Sequence, residues 1–186
     1  MGQHDRFKAR TAPPLRAATR YDAEPARVFY AWLDPGIARQ WLFATASHPI
    51  EHVEIDARAG GAFRFRDVRG GVDFNYAGRY VEVVPTRRLV FTLVLPEVDR
   101  VVTRVAVNIR APKVGATLEL VHENVPTDLA DRVKGRWTGM LYGLRLLLAA
   151  DRGRPESFDD RHCRFEVPPF DYKAERRVSR PFRSER

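Results

Sequence analysis

The sequence predicts an α+β helix-grip fold, a curved antiparallel sheet wrapped around one long C-terminal helix. Three observations predict it. Apolar and polar residues alternate with period two from about residue 50 to 123, broken at Gly60-Gly61, Gly70-Gly71 and Pro85-Thr86. An apolar stripe at helical spacing then runs from Thr127 to Ala150. Ahead of the sheet, VFYAWLDPGIARQWLF (residues 28–43) sets two of the three tryptophans on either side of an Asp34-Pro35-Gly36 break.

The elements follow in order. Residues 1–14 are polar, reach Pro13-Pro14 and read as a flexible lead. Leu15 to Tyr21 suits a short strand. A helix begins near Pro25, whose missing N–H has no partner to lose in a first turn. Val28, Phe29 and Trp32 share its apolar face, Asp34-Pro35-Gly36 ends it, and a second short helix covers Ile37 to Leu42. VEID then leads to Gly60-Gly61, and in FRFR the faces split into Phe63 and Phe65 against Arg64 and Arg66. VDFNYAGRYVEVV, RRLVFTLVL, the alternating run from Val101 to Arg110, and GATLELVHE complete a sheet of about six to seven strands. In the long fourth segment the register stays open: Tyr76 and Tyr80 face inward with Phe74, or Asn75 and Ala77 do.

The last helix presents Leu129, Val133, Trp137, Met140 or Leu141, Leu144 and Leu148 to the core, with Thr127 as its expected cap. Gly135, Gly139 and Gly143 form a second stripe, which predicts a close approach by the tail or by a second copy in a homodimer. Residues 151–186, rich in Arg and Pro without a sustained period, read as an extended or disordered arm. The helix-grip domain is therefore placed at residues 15–150.

Composition narrows the function classes. A chain of 186 residues with 44% hydrophobic content buries a core without staples, and a lone cysteine, Cys163, excludes an internal disulfide. The opening MGQHDRFKAR has no apolar segment of a secretory signal, and no run approaches the roughly 18 apolar residues of a membrane span. A cytoplasmic protein without membrane insertion is expected. The net charge of +8 sits mainly toward the ends, and no basic groove with interleaved aromatics marks a nucleic-acid partner.

Five stretches in succession, EPARVFYAWLDPGIARQWL, ARAGGAFRFR, YAGRYVEVVPTRRLVFTL, GATLELVHENVP and KGRWTGMLYGLRLLL, carry a further signal. They resemble the motifs of the family named for its homology to the activator of the heat-shock-protein ATPase. That family lies within the START and Bet v 1-like (SRPBCC) superfamily. The resemblance runs from about Tyr21 to Leu148. It implies a deep apolar cavity between sheet and long helix, suited to lipid-like or polyketide-like ligands, and it does not imply one chemistry. Eukaryotic chaperone activators carry a larger partner domain, so direct chaperone stimulation is not expected of this domain.

Candidate site residues follow from facing and residue type. The expected lining of the cavity is Trp41, Phe63, Phe65, Tyr76, Phe91, His122, Trp137 and Leu141, with a small hydrophobic ligand as the partner. Trp32 reads as core. Trp41 and Phe43, beyond the break, suit either the cavity mouth or plain packing. His122 shares the inward face of Leu118 and Leu120 and has three competing uses: a satisfied core histidine, a polar handle for a ligand, or a general acid/base with Tyr76 assisting. That last use is the cyclase or hydrolase alternative. A chaperone-accessory or protein-interaction role is the other. His48 and His52 lack a third ligand at metal spacing, and no nucleophile elbow or phosphate-binding loop is present, so neither metal nor cofactor is expected.

Overall fold

The computed structural model describes residues 10–45, 49–96 and 101–150. Strand β1 (Leu15–Tyr21) is followed by helices α1 (Pro25–Tyr30) and α2 (Pro35–Trp41). Six more strands come next: β2 (His52–Ile55), β3 (Ala62–Arg69), β4 (Val72–Val84), β5 (Arg88–Val94), β6 (Val102–Arg110) and β7 (Ala116–Glu123). A 3-10 turn (Thr127–Leu129) leads into α3 (Ala130–Ala150). All seven strands form one antiparallel sheet in the order β1-β7-β6-β5-β4-β3-β2. The two strands met first in the chain are thus its opposite edges, and α1 and α2 make the connection between them.

The sheet obeys the period-two reading. Phe63 and Phe65 on β3, Leu89, Phe91 and Leu93 on β5, and Thr103, Val105, Val107 and Ile109 on β6 are all buried on the inner face. The open register of β4 resolves in favour of the tyrosines: Tyr76 and Tyr80 are buried, whereas Asn75 is exposed. A bulge between Tyr80 and Glu82 then shifts the alternation. Gly78 sits on the same inner face, opposite Phe63 in register, and the Phe63 ring fills the space a side chain would take. On α3, Val133, Trp137, Met140, Leu141, Leu144 and Leu148 are buried against the sheet, so both Met140 and Leu141 belong to the core.

Four local expectations are corrected. Asp34-Pro35-Gly36 starts the second helix: the Asp34 side chain accepts from Ile37 N–H at 2.9 Å as an N-cap, and Pro35 takes the first turn. The first helix already ends at Tyr30, so Trp32 lies in the connecting turn. Thr127 does not cap the last helix, because its hydroxyl donates to the Arg10 carbonyl at 2.8 Å. The lead is pinned from Arg10 onward, since Ala12 N–H also donates to Val125 O and Thr127 N–H to Arg10 O. Residues 1–9 and the arm at 151–186 lie outside the described residues, as do His4, His48, His162 and Cys163.

The glycine stripe meets nothing among the described residues. A Cβ added at Gly135, Gly139 or Gly143 has no neighbour within 4 Å. Alanine at each position should therefore raise stability by about 0.8–1 kcal/mol through helix propensity alone. Urea denaturation of the single variants checks this, and a loss at all three would mean that the face is covered in solution.

Candidate functional site

The inner face of β3, β4 and β5 carries a continuous set of rings. Phe63 lies edge-on to Phe91 at 5.4 Å and tilted on Tyr80 at 5.4 Å, and Phe65 is edge-on to Phe63 at 6.0 Å. The helix-break region closes over them. Trp32 packs against Trp41 at 4.7 Å, Phe91 at 6.2 Å and Trp137 at 6.1 Å. Between these groups lies a cavity walled by Trp32, Leu42, Phe43, Phe63, Phe65, Tyr80, Leu89 and Phe91. The room inside is about 10 Å³, close to what one water needs. Its wall contains no charged side chain. Burial raises the Tyr80 hydroxyl pKa well above its ordinary value, which keeps it a neutral donor.

Phe43 is held in this wall against its own backbone preference. Its φ is +60°, a left-handed conformation that costs a non-glycine residue about 1–2 kcal/mol. Three contacts hold it there. Its N–H meets Met140 Sδ at 3.1 Å, its carbonyl accepts from Arg69 at 2.7 Å, and its ring stacks on Tyr76 at 4.1 Å with planes 6° apart. Arg69 is itself fixed by buried Asp67 on the inner face of β3. The lining loop is thus anchored to β3, β4 and α3 together.

His122 is a middle link of a directed hydrogen-bond chain. Trp137 Nε1–H donates to His122 Nδ1 at 2.9 Å, which requires the proton on Nε2. His122 Nε2–H donates to Thr103 Oγ1 at 2.7 Å, and the Thr103 hydroxyl donates in turn to Leu93 O at 2.7 Å. Every polar atom in the chain has its partner. Burial holds the imidazole pKa down, from 6.5 to about 4, so the ring is neutral at pH 7. Both ring nitrogens are engaged within the core. Among the three uses considered, the geometry is that of a satisfied core histidine.

Of the eight expected lining residues, Phe63, Phe65 and Phe91 are in the cavity wall. Trp41, Tyr76, His122, Trp137 and Leu141 are buried nearby but are not in that wall. Trp41 instead lies across Trp32 and donates its Nε1–H to Ala31 O at 3.0 Å, tying the two sides of the break together. Both tryptophans are core residues, and Trp32 also enters the cavity wall because α1 stops before it and the turn carries its ring over the sheet. Leu141 contributes its carbonyl, which accepts from the Tyr21 hydroxyl at 3.2 Å. Of the remaining wall residues, Phe43 was left between cavity mouth and plain packing and Tyr80 depended on the register of β4, whereas Trp32, Leu42 and Leu89 were missed. The inward period of β4 and β5 contained the signal for Tyr80 and Leu89. Among the described residues, no three His, Cys, Asp or Glu side chains converge as metal ligands, and no helix is long and apolar enough to cross a membrane.

Comparison with known proteins agrees with this architecture. A protein of Chromobacterium violaceum shares 28% identity at a TM-score of 0.64, over 74% of this chain and 98% of its own. CalU16 from Micromonospora echinospora shares 25% identity at a TM-score of 0.58, over 76% of this chain and 83% of its own. The AHSA1-like protein from Aeromonas hydrophila, at 19% identity and a TM-score of 0.66 over 77% of this chain and 97% of its own, shows the same fold. No curated protein matches the chain. The profile of the family described as "Activator of Hsp90 ATPase homolog 1-like protein" matches residues 22–149. By that match the chain belongs to the activator of Hsp90 ATPase homolog 1-like family, within the SRPBCC superfamily.

Proposed function

We propose that this protein binds a small hydrophobic ligand, lipid-like or polyketide-like, between the inner face of β3 to β5 and the segment around the helix break, rather than directly against α3 as the resemblance implies. The observation that carries the reading is the aromatic cavity with Phe43 held at positive φ in its wall. Strained residues of this kind persist where several contacts over-determine them, and they concentrate at ligand clamps. With about 10 Å³ of free room, the cavity has space for about one water, so binding requires it to widen. A ligand enters by taking over the volume of the Phe43 ring, and releasing Phe43 recovers its backbone strain. Burial of apolar ligand surface then supplies affinity at roughly 25 cal/mol per Å² before the costs of association.

Native mass spectrometry of gently purified protein tests the reading. A discrete adduct removed by organic solvent is the expected result, with Phe43→Ala taking up neutral aromatic compounds more readily than the parent. A clean apo mass, together with no uptake of neutral aromatic or lipid-like compounds by either protein, would sink it.

A further inference from the structure

Each of the three tryptophans carries one indole N–H, and the structure treats them differently. Trp41 Nε1–H donates to Ala31 O and Trp137 Nε1–H to His122 Nδ1. Trp32 Nε1 has no partner, although the residue is 2% exposed and its ring forms part of the cavity wall. Among the described residues it is the buried side-chain polar atom left unsatisfied. A buried donor without an acceptor costs about 1–3 kcal/mol, so native structures rarely keep one without a use.

We propose that Trp32 Nε1–H is the polar anchor of the cavity, and that the ligand is an apolar, flat molecule bearing a neutral carbonyl oxygen. This deepens the hydrophobic-ligand reading and rests on it. The chemistry of the wall selects the acceptor. The polar side-chain groups carried by its lining residues are the Trp32 indole N–H and the Tyr80 hydroxyl, with no carboxylate and no cation. An N–H calls for an oxygen acceptor. A carboxylate in that position would be desolvated without a counter-charge, at a cost far above that of a ketone, ester or amide oxygen. The remaining wall is aromatic and aliphatic, which suits the face of a ring system.

The test uses two naphthalenes of the same shape, 2-acetylnaphthalene and 2-isopropenylnaphthalene, the second lacking the oxygen. In the intact protein, with indole resonances assigned, the ketone should move the Trp32 N–H resonance downfield while the alkene should not. Trp32→Phe keeps a ring and removes the donor. It should weaken the ketone about tenfold more than it weakens the alkene, the value of one hydrogen bond at the upper end of the usual range. 2-Naphthoate should bind more weakly than the ketone. An unmoved Trp32 resonance, or equal losses for both naphthalenes in Trp32→Phe, overturns the anchor and leaves hydrophobic binding standing. Naphthoate binding as tightly as the ketone overturns the neutral acceptor. No uptake of any of the three overturns the anchor, and the underlying reading falls with it when the parent and Phe43→Ala proteins also carry no adduct and take up no lipid-like compound. Should Trp32→Phe fail to fold, the indole shift in the parent protein decides alone.

Discussion

Alanine at position 78 is expected to lower stability by about 3 kcal/mol or more, an effect at the upper end for one added methyl group. Its Cβ would lie 1.8 Å from the Thr92 carbonyl oxygen and 2.5 Å from the Phe63 ring. The Thr92 atom is backbone on the neighbouring strand, so relief requires β4 and β5 to part. Phe63 would also have to leave the cavity wall, which couples this stability defect to ligand uptake. Urea midpoints for Gly78→Ala and Gly139→Ala make the comparison, since the second site is open. The two should move in opposite directions. A neutral Gly78→Ala would show that β4 and β5 do not approach as closely as described.

Acidification should remove about 3 kcal/mol of stability between pH 7 and pH 4 through His122 alone. The folded pKa of about 4 lies below the ordinary 6.5, so the unfolded chain takes up its proton first. The stabilisation is complete above pH 6.5 and is lost as the pH falls toward 4. The hydrogen-bond chain reinforces this sign. A protonated ring would carry hydrogens on both nitrogens, and Nδ1–H would then oppose the Trp137 Nε1–H that it now accepts. His122→Leu, measured across the same range, should lose correspondingly less on acidification, although it starts lower because Trp137 and Thr103 lose their partner. Equal losses in parent and variant would assign the acid sensitivity to other groups.

Much of the fold was legible because strand faces are written locally. Phe63, Phe65 and Phe91 could be placed inward from their neighbours alone, and the stripe on α3 was read with its Met140/Leu141 ambiguity intact. The helix break was legible in principle, since Asp followed by Pro with a free N–H three residues on is a start signal, and it was read as a stop. Other features join residues far apart in the chain. Nothing near Thr127 announces that its hydroxyl is taken by Arg10. Nothing near His122 announces that Trp137 and Thr103 satisfy both its nitrogens. Phe43 shows the same limit most plainly, because its left-handed backbone is imposed by Arg69, Tyr76 and Met140.

The pairing of β1 with β7 also has a consequence for synthesis on the ribosome. Leu15 to Tyr21 is made first among the strands, yet its hydrogen-bonding partner spans Ala116–Glu123. Joining them closes a loop of about a hundred residues, and at roughly 5–20 residues per second the first strand waits several seconds for its partner to be translated. During that interval the apolar inner faces of β3 to β6 emerge before α3 exists to cover them. The nascent chain is therefore most vulnerable to aggregation just before its last helix leaves the exit tunnel, and shielding at that moment will govern its yield of folded protein.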